Sequence, residues 1–147
     1  MDESNKLSFI EILESNSINL PSTSSLSCLD ATPGYFVDIL GSPSQTPCVP
    51  GTYNPNFSST NSSDCLDADI GYHVPNEGES SQLICSPGTY QPNSGESSCI
   101  DADSGYFVDM FGATNQTTCE PGNYQPQAGQ SSCYNSDPGH YVSSFAA

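Results

Sequence analysis

The sequence predicts a small disulfide-rich repeat protein, mostly irregular with short β-strands and hairpins, drawn out as an elongated, solenoid-like rod. Three observations carry this. Only 34% of the 147 residues are hydrophobic, too few to offset chain entropy with one large core. Seven cysteines stand at regular intervals, and cross-links can replace a missing core. A fifteen-residue loop, CSPGTYQPNSGESSC at 85–99, recurs as CEPGNYQPQAGQSSC at 119–133.

The cysteines fall at 28, 48, 65, 85, 99, 119 and 133, so long intervals of 20 alternate with short ones of 17, 14 and 14. One full unit therefore holds two cysteines, and the chain divides into a non-repeat segment 1–27, repeats 28–64, 65–98 and 99–132, and an incomplete repeat 133–147. The first short interval carries three extra residues, as a surface loop tolerates. In the short halves, Pro50-Gly51, Pro87-Gly88 and Pro121-Gly122 set tight turns, because Pro fixes φ and Gly permits φ > 0. In the long halves a glycine leads into Tyr35-Phe36-Val37, Tyr72-His73-Val74 and Tyr106-Phe107-Val108. Aromatic and β-branched residues there suit very short strands. Pro and Gly interrupt every candidate helical window between Cys28 and Cys133. Tyr53, Tyr90 and Tyr124 hold one register, and Tyr35, Tyr72 and Tyr106 another, as a thin ladder of packing rings.

Seventeen acids stand against a single base, Lys6. A net charge of −16 repels phosphate backbones and anionic lipid, which disfavours nucleic-acid and membrane-surface roles. No apolar run reaches membrane-spanning length, so membrane insertion is not expected. Regular cysteines in so polar a chain indicate an oxidising, extracellular setting. Zinc is disfavoured, since no C-x2-C pair exists. The acidic N-terminus lacks the apolar run of a secretory signal, which is expected to have been removed or to lie in a longer parent chain.

Two regular pairings of the cysteines remain open from spacing alone. One closes the short loops and leaves Cys28; the other closes the long loops and leaves Cys133. The pattern C-x-P-G-x-Y-x-P…S-S-C, over residues 28–142, resembles the small cysteine-rich repeats of ephrin-receptor-like and TNF-receptor-like ectodomains, although each unit here has fewer cysteines. That resemblance implies short-loop disulfides Cys48–Cys65, Cys85–Cys99 and Cys119–Cys133. Cys28 is then unpaired, or links subunits. Each such disulfide contributes about 3 kcal/mol in the chain-entropy model.

Asp67-Ala68-Asp69 and Asp101-Ala102-Asp103 gather hard oxygens ahead of a glycine, so Asp67, Asp69, Asp101 and Asp103 are candidate calcium ligands, against the plainer reading of a self-capping turn. No other cofactor is expected. Asn56, Asn61 and Asn115 begin N-x-S/T sequons and are candidate glycan acceptors. His73 and His140 lie in different registers, and no Ser/His or Cys/His arrangement recurs, so catalysis is not expected. The apolar stretch LSFIEIL at 7–13 and the unfinished last repeat suggest head-to-tail self-association, with a segment of one subunit completing the next. The function this implies is a structural subunit of an extracellular filament, stalk or cell-surface coat. The alternative is a receptor- or adhesin-type ectodomain that binds a protein or calcium.

Overall fold

A computed structural model describes residues 28–145; the segment 1–27, with the candidate assembly stretch 7–13, lies outside the described residues. Twelve two-residue strands form six antiparallel hairpins. Hairpin 1 pairs β1 (Tyr35–Phe36) with β2 (Thr46–Pro47), and hairpin 2 pairs β3 (Thr52–Tyr53) with β4 (Leu66–Asp67). Hairpin 3 joins β5 (Tyr72–His73) to β6 (Leu83–Ile84), and hairpin 4 joins β7 (Thr89–Tyr90) to β8 (Ile100–Asp101). Hairpins 5 and 6 are β9 (Tyr106–Phe107) with β10 (Thr117–Thr118), and β11 (Asn123–Tyr124) with β12 (Tyr134–Asn135). The expected strands after each long-half glycine are present, and the short halves form strands of the same kind.

Long and short halves are one structural unit. Each hairpin opens on a turn whose third residue is a glycine of positive φ, such as Gly34 at 89° and Gly88 at 92°. The turn is closed by hydrogen bonds such as Tyr35 N–H to Thr32 C=O and Thr89 N–H to Ser86 C=O, both 3.0 Å. Glycine after proline at this point is what a type II turn requires. These opening glycines, at 34, 51, 71, 88, 105, 122 and 139, recur every 17 residues, except across the insertion, where the step is 20. The short-half hairpins therefore straddle the second cysteine of each disulfide: β3 and β4 lie on either side of Cys65.

Two-residue strands cannot stand alone, so the stability lies between hairpins. The opening glycine N–H of each hairpin donates to a carbonyl of the next: Gly51 to Val74, Gly71 to Gln91 and Gly88 to Val108, each at 2.8 Å. A second bond follows three residues on, as from Val74 N–H to Glu96 C=O at 3.1 Å. A third returns from the next hairpin's loop, as from Gly95 N–H to Ala68 C=O at 2.8 Å. The opening glycine also abuts the hairpin after next. A Cβ on Gly51, Gly71 or Gly88 would fall against the backbone carbonyl of Gly95, Gly112 or Gly129 respectively. Backbone thus meets backbone, and only glycine permits so close an approach.

The interior is correspondingly thin. Three residues before the first six opening glycines stand Ala31, Cys48, Ala68, Cys85, Ala102 and Cys119, all buried and alternately alanine and half-cystine. Three residues after it, valine alternates with an amide: Asn54, Val74, Gln91, Val108 and Gln125 are all buried. The tyrosines keep register without stacking continuously. Tyr90 packs on Ala102, Val108 and Ala113, and Tyr35 lies over Gly78. The aromatic pair among the described residues, Tyr124 and Tyr134 at 5.9 Å, spans one hairpin.

Each loop turns on a second residue of positive φ, seven after the opening glycine: Gly41, Ser58, Gly78, Gly95, Gly112 and Gly129. Ser58, with φ 58°, is the one non-glycine of positive φ among the described residues. Holding an L-residue there costs about 1–2 kcal/mol, partly offset by the chain entropy that glycine would lose. Ser58→Gly should therefore stabilise the protein by roughly 0.5–1 kcal/mol, read as a rise of a few degrees in Tm. The inserted residues just beyond form a 3-10 turn at Ser62–Asp64, capped reciprocally by Asn61 and Asp64. It is the only helical turn among the described residues.

Candidate functional site

The side chains that close the loops are the most regularly placed polar and sulfur groups in the chain. The disulfides are Cys48–Cys65, Cys85–Cys99 and Cys119–Cys133, the set that the family resemblance implies, and Cys28 is free and exposed. Inside each short loop lies the buried amide. Gln91 Nε2–H donates to Ser98 C=O at 2.7 Å, while its Oε1 accepts from Asn93 N–H at 3.0 Å. Gln125 does the same with Ser132 and Gln127. The shorter Asn54 likewise accepts from Asn56 N–H through Oδ1, but its Nδ2–H donates to Tyr35 C=O and Ser59 Oγ. A buried amide left unpaired would be costly. None is unpaired among the described residues.

Long loops carry a glutamine clasp where the short loops carry the second half-cystine. Gln45, Gln82 and Gln116 stand eleven residues after their opening glycines, as do Cys99 and Cys133. Gln82 Oε1 accepts from Asp69 N–H at 2.7 Å, and its Nε2–H donates to Asp69 Oδ2 at 2.7 Å. Gln116 repeats this with Asp103, at 2.6 and 2.7 Å. Gln45 engages Thr32 through N–H and Oγ1. The clasp was not anticipated from the sequence, although a glutamine recurring immediately before the closing strand of every long half was there to be read.

The four candidate calcium ligands consequently face different neighbours. Asp69 and Asp103 each commit one carboxylate oxygen to a glutamine. Asp67 and Asp101 lie beside Gly95 and Gly129, their Cγ atoms 3.5 Å from where a glycine Cβ would sit. The group of three close potential metal ligands among the described residues is elsewhere: His73, Cys85 and Cys99. The Nδ1 of His73 lies 3.1 Å from Cys99 Sγ. His73 has no counterpart in the register of the other histidine, His140, so no pairing of the two marks it in the sequence. The relevant signal is a histidine at the position held by Phe36 and Phe107 in the other long halves.

Asn56, Asn61 and Asn115 are all exposed. Asn61 uses Oδ1 to accept from Ser63 N–H, which leaves Nδ2, the atom a glycan would take, outside that bond. Exposed apolar side chains cluster at two long-half loop tips, Ile39-Leu40 and Met110-Phe111. The corresponding tip of hairpin 3 reads Pro75-Asn76-Glu77. A broad groove of mixed lining runs along Cys28–Thr32, Val37–Gln45 and Phe57–Thr60. Three disulfides fit an oxidising compartment, and among the described residues no helix is long and apolar enough to cross a membrane. Comparison with protein-family models and with curated proteins finds no match.

Proposed function

We propose that the chain is a structural subunit of an extracellular filament, stalk or cell-surface coat, an elongated solenoid-like rod of stapled hairpins that associates head to tail. One observation carries this reading: each hairpin offers the next the same donors and acceptors that it receives from the one before. Nothing in such a pattern closes on itself, and a heterologous contact that does not close propagates. Among the described residues, the N–H groups of Gly139 and Val142 have no following hairpin to meet, and Val37 C=O and Gly41 N–H no preceding one. These sets are complementary, whether the next hairpin belongs to the same chain or to another copy. Glycans at Asn56, Asn61 and Asn115 would coat such a rod, and intact mass above that of the polypeptide reads them directly.

Sedimentation velocity across a concentration series tests the association. Gly122 has φ 91° and nothing within 4 Å of a built Cβ, yet its counterparts Gly51, Gly71 and Gly88 are all closed over by a later hairpin. The wild type should form species that grow with concentration, and Gly122→Ala should stay folded and monomeric. A wild type that is monomeric throughout would refute self-association.

A second reading, a receptor- or adhesin-type ectodomain akin to the cysteine-rich receptor repeats, is favoured by the exposed tips Ile39-Leu40 and Met110-Phe111. Apolar groups left in water on a chain so polar suit a protein-binding face. On that reading, changing the tips to Ser would abolish partner capture and leave self-association unaltered.

A further inference from the structure

We propose that reduction of the Cys85–Cys99 disulfide opens a binding site for one thiophilic d10 cation of the zinc class, held by Cys85 Sγ, Cys99 Sγ and His73 Nδ1. The three ligand atoms already lie within 4.8 Å of one another. Tetrahedral zinc, with bonds of about 2.3 Å to sulfur and about 2.0–2.1 Å to nitrogen, needs them roughly 3.5–4 Å apart. The two sulfurs must therefore part from bonding distance, about 2.05 Å, by rotation of their side chains, and His73 Nδ1, now 3.1 Å from Cys99 Sγ, must draw back slightly; water fills the fourth position.

Three features keep the ligands together without the disulfide. His73 is fixed on β5, paired to Leu83 of β6. Cys85 is fully buried, its N–H bonded to Gly71 C=O at 2.9 Å and its C=O accepting from Gly112 N–H at 2.9 Å. The 85–99 loop keeps its own clasp through Gln91, to Asn93 and Ser98. The long-half loops, which have no disulfide, demonstrate that this architecture closes a loop by hydrogen bonds of a side-chain amide.

The site is specific to one repeat. At the position of His73 the other long halves carry Phe36 and Phe107, so Cys48–Cys65 and Cys119–Cys133 have no imidazole in that register. The chemistry balances as follows. A dithiol reductant supplies two electrons and two protons, is itself oxidised to its disulfide, and leaves two thiols. Binding of the cation as a bis-thiolate then releases those two protons to solvent, and the neutral imidazole contributes its Nδ1 lone pair.

Cobalt(II), a coloured stand-in for zinc, gives the test. The full chain is reduced anaerobically with a dithiol, desalted and titrated with Co2+. One equivalent should bind, with sulfur-to-cobalt charge-transfer absorption and intense visible bands of tetrahedral cobalt; the oxidised chain should bind none. His73→Phe should weaken binding at least ten-fold, roughly the cost even of a lost outer-shell partner, and lose the intense visible bands. Phe107→His, beside Cys119 and Cys133, should raise the stoichiometry to two. Equal binding by wild type and His73→Phe, a Phe107→His variant still limited to one equivalent, or a reduced chain that neither binds cobalt nor folds in its presence would each overturn the proposal.

Discussion

Gly88→Ala should cost about 2–5 kcal/mol, whereas Gly122→Ala, the same substitution at the same point of another repeat, should cost only about 1–2 kcal/mol. Both glycines follow proline in the opening turn, with nearly equal φ of 92° and 91°. The left-handed conformation penalises alanine equally in both, by about 1–2 kcal/mol. They differ in what lies above them. A Cβ on Gly88 runs into the carbonyl of Gly129, while one on Gly122 meets nothing within 4 Å. Overpacking adds about 1–3 kcal/mol in well-packed interiors, and here the obstacle is backbone, which cannot rotate away. Scanning calorimetry on the two variants isolates that extra term, because the turn chemistry cancels. Equal losses in Tm would mean that hairpins 4 and 6 do not abut as described.

The second large effect is a gain. Ala102→Cys with Gln116→Cys should form a fourth disulfide and raise stability by about 2 kcal/mol. The two positions hold the register of Cys85 and Cys99, and the residue separation, 14, is the same. Ala102 shares the backbone bonds of Cys85: its N–H meets Gly88 C=O at 2.8 Å, and its C=O accepts from Gly129 N–H at 2.7 Å. A loop of this length contributes about 3 kcal/mol when cross-linked. Against it stands the lost clasp of Gln116 on Asp103, worth about 1 kcal/mol net. Thiol titration of the folded variant should find only Cys28 reactive, and Tm should rise. If the new cysteines stay free, the long and short halves are not equivalent units.

Much of this was legible in the sequence, for identifiable reasons. Gly-Tyr-Phe-Val in the long halves encodes a turn and a short strand through local sterics, and the strands stand there; the matching strands after Pro-Gly in the short halves were not anticipated. The equivalence of the two halves was hidden because cysteine spacing dominates the eye and alternates between 20 and 14. The glycines keep the plainer period of 17, since every hairpin needs one where backbones touch, whether or not it has a disulfide. Ser58 broke the second glycine row and masked it further. The clasps of Gln82 and Gln116 were obscure because a glutamine in a polar chain reads as surface until its partner backbone is placed. The Asp-x-Asp pairs read as single ligand sets; in the fold Asp69 and Asp103 take a glutamine clasp, and Asp67 and Asp101 lie beside Gly95 and Gly129. The contact of His73 with Cys99 joins residues 26 apart, which no local pattern conveys.

Electron microscopy of natively purified protein, with and without reductant, puts the self-propagating stack to the test. Continuous filaments with an axial repeat near one subunit length are expected, thinner or broken once the disulfides are reduced. Separate short particles under both conditions, at concentrations well above those used for sedimentation, would contradict it.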